Sequence, residues 1–198
     1  GGHSYLAYIA SIEELAKHCS TTSVMLSDHH SLGAFPISEF GTEEQKQKYL
    51  VPLLKGEKLG AFAVTDPSAG SDLGNQKTTA VDKGDYWLLN GAKIFITNGF
   101  YADTYFVTAV TDKSQRNRGI SAFIVEKGTP GFTFGTKEKK MGIRGSATYE
   151  LVFQDCKIPK ENLLGELGKG FKMALITLDG GRIGVAAQAL GIAQSAID

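Results

Sequence analysis

The sequence is poor in the residues that would give quick answers. Among 198 residues there are only two cysteines, Cys19 and Cys156, far apart and in no metal-ligand spacing. Neither a disulfide framework nor a zinc cluster is expected, and both thiols are read as small buried apolar residues in a reducing compartment. No charge of either sign is in excess: 21 Lys and Arg balance 21 Asp and Glu, so nothing nominates a nucleic acid or an anionic membrane as partner. No run approaches the roughly 20 apolar residues of a membrane span, and the start has neither a basic region nor an apolar leader. A soluble, intracellular protein is expected. What is present is an ordinary 42% of hydrophobic residues, enough to build the core of one large domain or two small ones. The sequence opens Gly1-Gly2-His3 with no methionine and stops at Asp198 while a helical pattern is still running, as a piece of a longer protein would.

Several catalytic signatures are missing too. Gly168-Lys169 lacks the earlier glycine and the following Ser or Thr of a phosphate loop. Gly168 and Gly170 begin a GxGxxG, but Met173 stands where its last glycine belongs and no strand pattern precedes it. No G-x-S-x-G elbow occurs. Asp28-His29-His30 suggests a metal, yet adjacent histidines on a helix point about 100° apart, so one helix cannot aim both at one ion. No metal is expected.

The chain changes character near Gly60. Before it, Tyr5, Ile9, Ile12 and Ala16 recur at helical spacing between His3 and Lys17. A second helix is predicted over Ser20 to Leu32, ended by Gly33 and Pro36. Thr42-Glu43-Glu44-Gln45 has the spacing of a capping box, opening a third helix that Pro52 interrupts. After Gly60 come short β-rich runs separated by turn signals, among them Asp82-Lys83-Gly84-Asp85, Asn90-Gly91 and Asn98-Gly99. Strands in succession with no helix between them indicate an antiparallel barrel or sandwich, not βαβ units. From about Gly165 a long helix is predicted. Gly180, Gly181 and Gly184 weaken it by roughly 1 kcal/mol each against Ala, so they are expected to serve close packing or close approach of a ligand. The fold class is therefore α+β multidomain: helices over residues 1–59, a β domain over 60–160, and the start of a C-terminal helical bundle over 161–198.

Two stretches look built for binding. In Phe62 to Asp72, an apolar strand turns into a loop where Pro67 fixes φ and Gly70 frees the backbone for positive φ or for contact with a ligand. Thr65, Ser68 and Ser71 add hydroxyls. In Lys93 to Gly99, Phe95 and Thr97 stand at i and i+2, on one side of a strand, an aromatic floor beside a donor for a flat heterocycle. Arg144 and Arg182, in glycine-rich surroundings, can meet phosphate or carbonyl oxygens.

Taken together, AVTDPSAGSD, KIFITNG, KMGIRGS, ENLLGELGKGF and LDGGRIGVAAQALGIAQ resemble, in order, the acyl-CoA dehydrogenases, and the last is most similar to the short-chain, butyryl-CoA type. The resemblance covers nearly the whole chain. It implies FAD bound between the β domain and a C-terminal bundle, oxidation of a short-chain acyl-CoA to its trans-2-enoyl form, and electron-transferring flavoprotein as electron acceptor. It also implies a homotetramer at full length, in the bacterial cytoplasm or, in a eukaryote, the mitochondrial matrix. By the same resemblance Phe62, Val64 and Thr65 contact the isoalloxazine, with Thr65 on its pyrimidine edge. Gly70 serves the cofactor phosphates, as does Ser71, which also meets the CoA moiety. Phe95, Ile96 and Thr97 line the other side, the Thr97 hydroxyl near the flavin nitrogen that receives hydride. Asp179, Gly180, Gly181 and Arg182 face the thioester. Two positions depart from the family pattern: Asp66 stands where Glu is commoner, and Gly181 falls where some members keep the catalytic glutamate. The base is thus expected beyond Asp198, as in the short-chain enzymes, and the fragment is expected to be inactive alone. The rival expectation is a non-catalytic acyl-CoA or flavoprotein-partner binding module with the same fold.

Overall fold

In the computed structural model, residues 4–198 are described; His3, the expected first residue of the opening helix, lies outside them. The N-terminal helices are α1 (Tyr5–His18), α2 (Ser20–Ser27), α3 (Phe35–Phe40), α4 (Glu43–Gln45) and α5 (Val51–Leu54). The strands follow: β1 (Gly60–Ala63), β2 (Thr79–Asp82), β3 (Tyr86–Thr97), β4 (Thr104–Val110), β5 (Ile120–Glu126), β6 (Phe132–Lys137), β7 (Thr148–Pro159) and β8 (Leu163–Leu164). A single helix, α6 (Gly170–Ile197), closes the chain.

Helical breakers behave differently from their sequence reading. A π-helical stretch, Asp28–Ala34, joins α2 to α3, so the helix does not stop at Gly33 or Pro36. Pro36 sits at the start of α3, immediately after the π-helical stretch, whose irregular bonding accommodates a residue that has no N–H to donate. Gly33 is a contact point: a Cβ there would come 2.9 Å from the Gly60 backbone, so the glycine lets this helix lie directly on β1. Pro52 likewise occupies the first turn of α5. The Thr42 capping box forms as expected, Gln45 N donating to the Thr42 hydroxyl at 3.2 Å and Thr42 N to Gln45 Oε1 at 3.1 Å. Cys19 corrects an expectation: it is exposed, because it caps the break between α1 and α2, whereas Cys156 is buried.

The sheet runs β6-β7-β3-β2-β4-β5-β8, with β1 added beside β4. Its hairpins are antiparallel, but β1 and β2 both meet β4 in parallel. Asn90-Gly91, read as a turn, lies inside β3, whose two halves stay paired to β7 from Tyr86↔Pro159 to Thr97↔Thr148. Gly91, at φ 142, makes a bulge there, and a Cβ would sit 2.7 Å from Thr78 Cα. Strands β4 and β5 are buried on both faces. Tyr105, Val107, Phe123 and Val125 point into the sheet's own interior with Trp87, Leu89, Phe132 and Leu151. Phe106 and Ile124 point the other way, to Ile37, Tyr49, Leu53 and Met173 of the helices. The glycines of α6 serve close packing: a Cβ on Gly181 would meet Leu32, one on Gly184 would meet Ser27 and Tyr8, and one on Gly191 would meet Ala16. Among the described residues no helix is long and apolar enough to cross a membrane.

Candidate functional site

Strand β1 ends at Ala63, and the chain folds back at once. Asp66 N donates to Ala69 O and Ala69 N to Asp66 O, both at 3.1 Å, closing a tight turn over Pro67 and Ser68. Pro67, Ser68, Gly70 and Ser71 are exposed. Gly70 is not among the positive-φ residues, so φ is not the reason for a glycine there. Nothing lies within 4 Å of the position its Cβ would take, which leaves the backbone bare to a ligand.

Thr65 is half-buried beside β3, its carbonyl accepting from Ile94 N at 2.9 Å. That bond brings the two expected binding stretches edge to edge. Phe95 has φ 59 and is 60% exposed, at a register shift between Lys93 and Ile96. The bulge interrupts the pleat, so simple alternation does not put Phe95 and Thr97 on one face. Positive φ in an aromatic residue is strained, and such strain persists only where the surroundings impose it. Ile96 is buried and Thr97 half-buried. Among the described residues, the hydroxyls of Thr65, Ser68, Ser71 and Thr97 have no hydrogen-bond partner. Phe62 and Val64 are core residues, with Phe62 stacked on Phe106 at 4.9 Å between ring centroids.

The α6 positions are spread around that helix. Asp179 and Arg182 are exposed, whereas Gly181 is buried under Leu32. Gly180 borders a mainly apolar cavity of about 210 Å³ with Tyr5, Tyr8, His30, Ser31 and Phe35, and Tyr5 donates to its carbonyl. Arg144 is exposed in the loop before β7. Downstream of Ser71 lies a larger cavity of about 720 Å³, lined by Asp72, Gln76, Lys77, Lys113, Arg116 and Asn117, whose cations suit a phosphorylated ligand.

Sequence reasoning missed the polar group beneath the loop. Lys93 is 0% exposed and Asp66 2%, and their side chains pair at 2.5 Å. Asp66 also accepts from Lys77 N at 2.6 Å, Thr78 N at 2.7 Å and the Thr78 hydroxyl at 3.1 Å. Burial pulls the Lys93 ammonium down to about 8, with Asp66 working against it. A charged residue leading an apolar run, Lys93-Ile94-Phe95-Ile96, was the available signal. A second buried acid, Asp28, accepts from Asn98 Nδ2 at 3.3 Å, and desolvation raises its carboxyl well above the usual aspartate range. His29 is structural: its Nδ1 accepts from Gly60 N at 3.0 Å and its Nε2 faces Leu53 O at 3.1 Å.

This mixed sheet, with helices before it and one long helix after it, is the arrangement of the acyl-CoA dehydrogenases, and the chain belongs to that family. The family's N-terminal domain matches residues 1–57 and its middle domain residues 61–156. The chain is 62% identical over 198 residues to the short-chain specific acyl-CoA dehydrogenase of Megasphaera elsdenii, covering 99% of this chain and 51% of that relative. The solved butyryl-CoA dehydrogenase of Megasphaera elsdenii superposes with a TM-score of 0.97 at 61% identity, over 98% of this chain and 51% of the other. A chain from the structure described as the electron transferring flavoprotein of Acidaminococcus fermentans superposes at 0.98 with 62% identity, over 99% and 52%. An acyl-CoA dehydrogenase from Bacillus anthracis, complexed with FAD, superposes at 0.89 with 40% identity, over 96% and 33%. The chain thus spans about half the length of the short-chain relative it matches.

Proposed function

We propose that the full-length protein is an FAD-dependent dehydrogenase that converts a short-chain acyl-CoA to its trans-2-enoyl form. The observation that carries this reading is that Thr65 and Thr97, whose hydroxyls have no partner among the described residues, lie on two segments joined by the Ile94 N to Thr65 O bond, next to exposed Phe95. Donors without partners beside an exposed aromatic fit a flat heterocycle with a polar edge, and the bare backbone at Gly70 fits its phosphate-bearing tail. The FAD complex of the Bacillus anthracis relative supports the same choice of cofactor.

When bound, FAD supplies the acceptor for the two electrons of the Cα–Cβ bond. Thr65 would hold its pyrimidine edge and Thr97 would serve the opposite side, both fixed before reaction, so no reorganisation would be needed as charge develops. Phe62 and Val64, packed in the helix-facing core, would back the ring from one side and Ile96, packed in the sheet's interior, from the other, with exposed Phe95 beside it. Gly70 and Ser71 would serve the phosphates, and Ser71 also the CoA moiety. Asp179, Gly180 and Arg182 would face the thioester, with Gly181 held beneath Leu32. Gly181 carries no carboxylate, so the α-proton goes to a base beyond Asp198. We place residues 1–59, 60–160 and 161–198 in successive domains of a homo-oligomer that passes electrons to electron-transferring flavoprotein. The compartment is a bacterial cytoplasm, or a mitochondrial matrix in a eukaryote.

The test is an anaerobic titration of the full-length protein with butyryl-CoA. Loss of the oxidised flavin absorbance is expected. Protein that retains no flavin overturns the reading, and flavin that never bleaches favours a non-catalytic binding module.

A further inference from the structure

The binding loop is built over a buried ammonium that the reaction above does not call on. Lys93 sits on β3 two residues before Phe95. Its Nζ has three hydrogens to give. It meets Val64 O at 3.1 Å, Asp66 Oδ1 at 2.5 Å and Gln76 Oε1 at 3.0 Å, with the Thr108 hydroxyl of β4 at 3.4 Å. Val64 and Gln76 stand at the two ends of the loop that carries Thr65, Gly70 and Ser71. One side chain therefore ties both ends of that loop to the strand that carries Thr97. Asp66 is the single ionisable partner of Lys93 among the described residues; Gln76, Thr78 and Thr108 complete the polar surroundings without titrating.

Stability alone is a poor reason for such a pair. Desolvating two charges consumes most of their attraction, and apolar replacements of similar volume are often as stable. The geometry offers a better one. A hydrogen bond from an ammonium to the Val64 carbonyl polarises the Val64–Thr65 peptide and makes Thr65 N–H a stronger donor.

We propose that Lys93 is a positioning residue of the cofactor cradle, setting the separation of the Thr65- and Thr97-bearing segments and the donor strength at Thr65. The inference rests on the flavin reading above. It implies that the cofactor senses the charge of a side chain it does not touch. Because burial pulls Lys93 down to about 8, the flavin spectrum of the wild type should titrate near that pH.

The experiment uses the full-length holoenzyme with Lys93→Met and with Lys93→Met/Asp66→Asn, the latter leaving no unpaired charge. FAD dissociation constant, flavin midpoint potential and visible spectrum between about pH 6.5 and 9.5 are measured. The double variant should keep the wild-type circular dichroism, bind FAD about tenfold or more weakly, show a lowered potential, and lose the spectral step near pH 8. A folded double variant with wild-type affinity, potential and pH profile overturns the proposal and makes Lys93 a packing residue. Should neither variant fold, Gln76→Ala, which removes one Nζ contact and leaves the ion pair, decides: weaker FAD binding with a shifted flavin potential supports the proposal, and wild-type values overturn it. Wild-type protein that takes up no FAD overturns the flavin reading first, and this inference with it.

Discussion

Two buried aspartates that meet the same stretch of chain, Asp66 at Lys93 and Asp28 at Asn98, are treated in opposite ways. Asp66, 2% exposed, receives two backbone N–H groups, a hydroxyl and an ammonium. Asp28, 8% exposed, receives one long bond from Asn98. A carboxylate given enough donors can hold neighbouring chain segments in place; Asp28, left almost alone, has its carboxyl raised by desolvation. The Asp66 group therefore organises a loop. The Asp28 group is a cost that pH can modulate.

The comparison breaks most sharply at Lys93. Lys93→Met leaves Asp66 buried without its counter-ion, and chemical denaturation of the full-length protein should show a loss of about 3–5 kcal/mol. If Asp66 were indifferent to Lys93, the loss would be that of an ordinary surface change. Next in size is Gly33→Ala, which drives a methyl to 2.9 Å from rigid Gly60 backbone and should cost about 1–3 kcal/mol.

Asp28→Asn should act in the opposite direction, raising stability at neutral pH by about 1–3 kcal/mol. Asp28 has a raised folded-state value, so the folded protein holds its proton over a range where the unfolded chain has released it. Its contribution is then full below the ordinary aspartate value and is lost as pH rises through the folded one. Thermal melts across that range should slope downward with pH in the wild type and lose that component in the variant. Lys93 has a lowered value, about 8, so its contribution is lost as pH falls through 8 and restored towards the ordinary lysine value.

Smallest in stability are Thr65→Val and Thr97→Val. Their hydroxyls have no partner among the described residues, so denaturation should shift by less than about 0.5 kcal/mol. FAD affinity should fall by about tenfold for each, at the cost of one hydrogen bond to a charge-bearing ligand. A large loss of stability with unchanged flavin binding would move both threonines from the site to the core.

How much was legible follows the range of the interactions involved. The Thr42 capping box and the long final helix were readable because their partners lie within one or two turns. Asn90-Gly91 misled because β7, some sixty residues on, pairs with both halves of β3 and carries the strand through a glycine that locally favours a turn. Gly33 and Pro36 misled for a similar reason: packing on β1 holds the helix together where its own propensity is weak. At the site, the hydroxyls and the bare glycine were visible as residue types in a loop. The Phe95 bulge was not, since a register shift belongs to a pair of strands.

The order of elements, the balance of charge and the family motifs are properties of the chain as written, because each rests on residue identity or short-range periodicity. The clamp beneath the loop is not. Lys93 finds Asp66, Gln76 and Thr108 across 27, 17 and 15 residues. Only the closing of the sheet removes water from around all of them, and it is that loss of water which turns an ordinary lysine into a buried, titratable anchor.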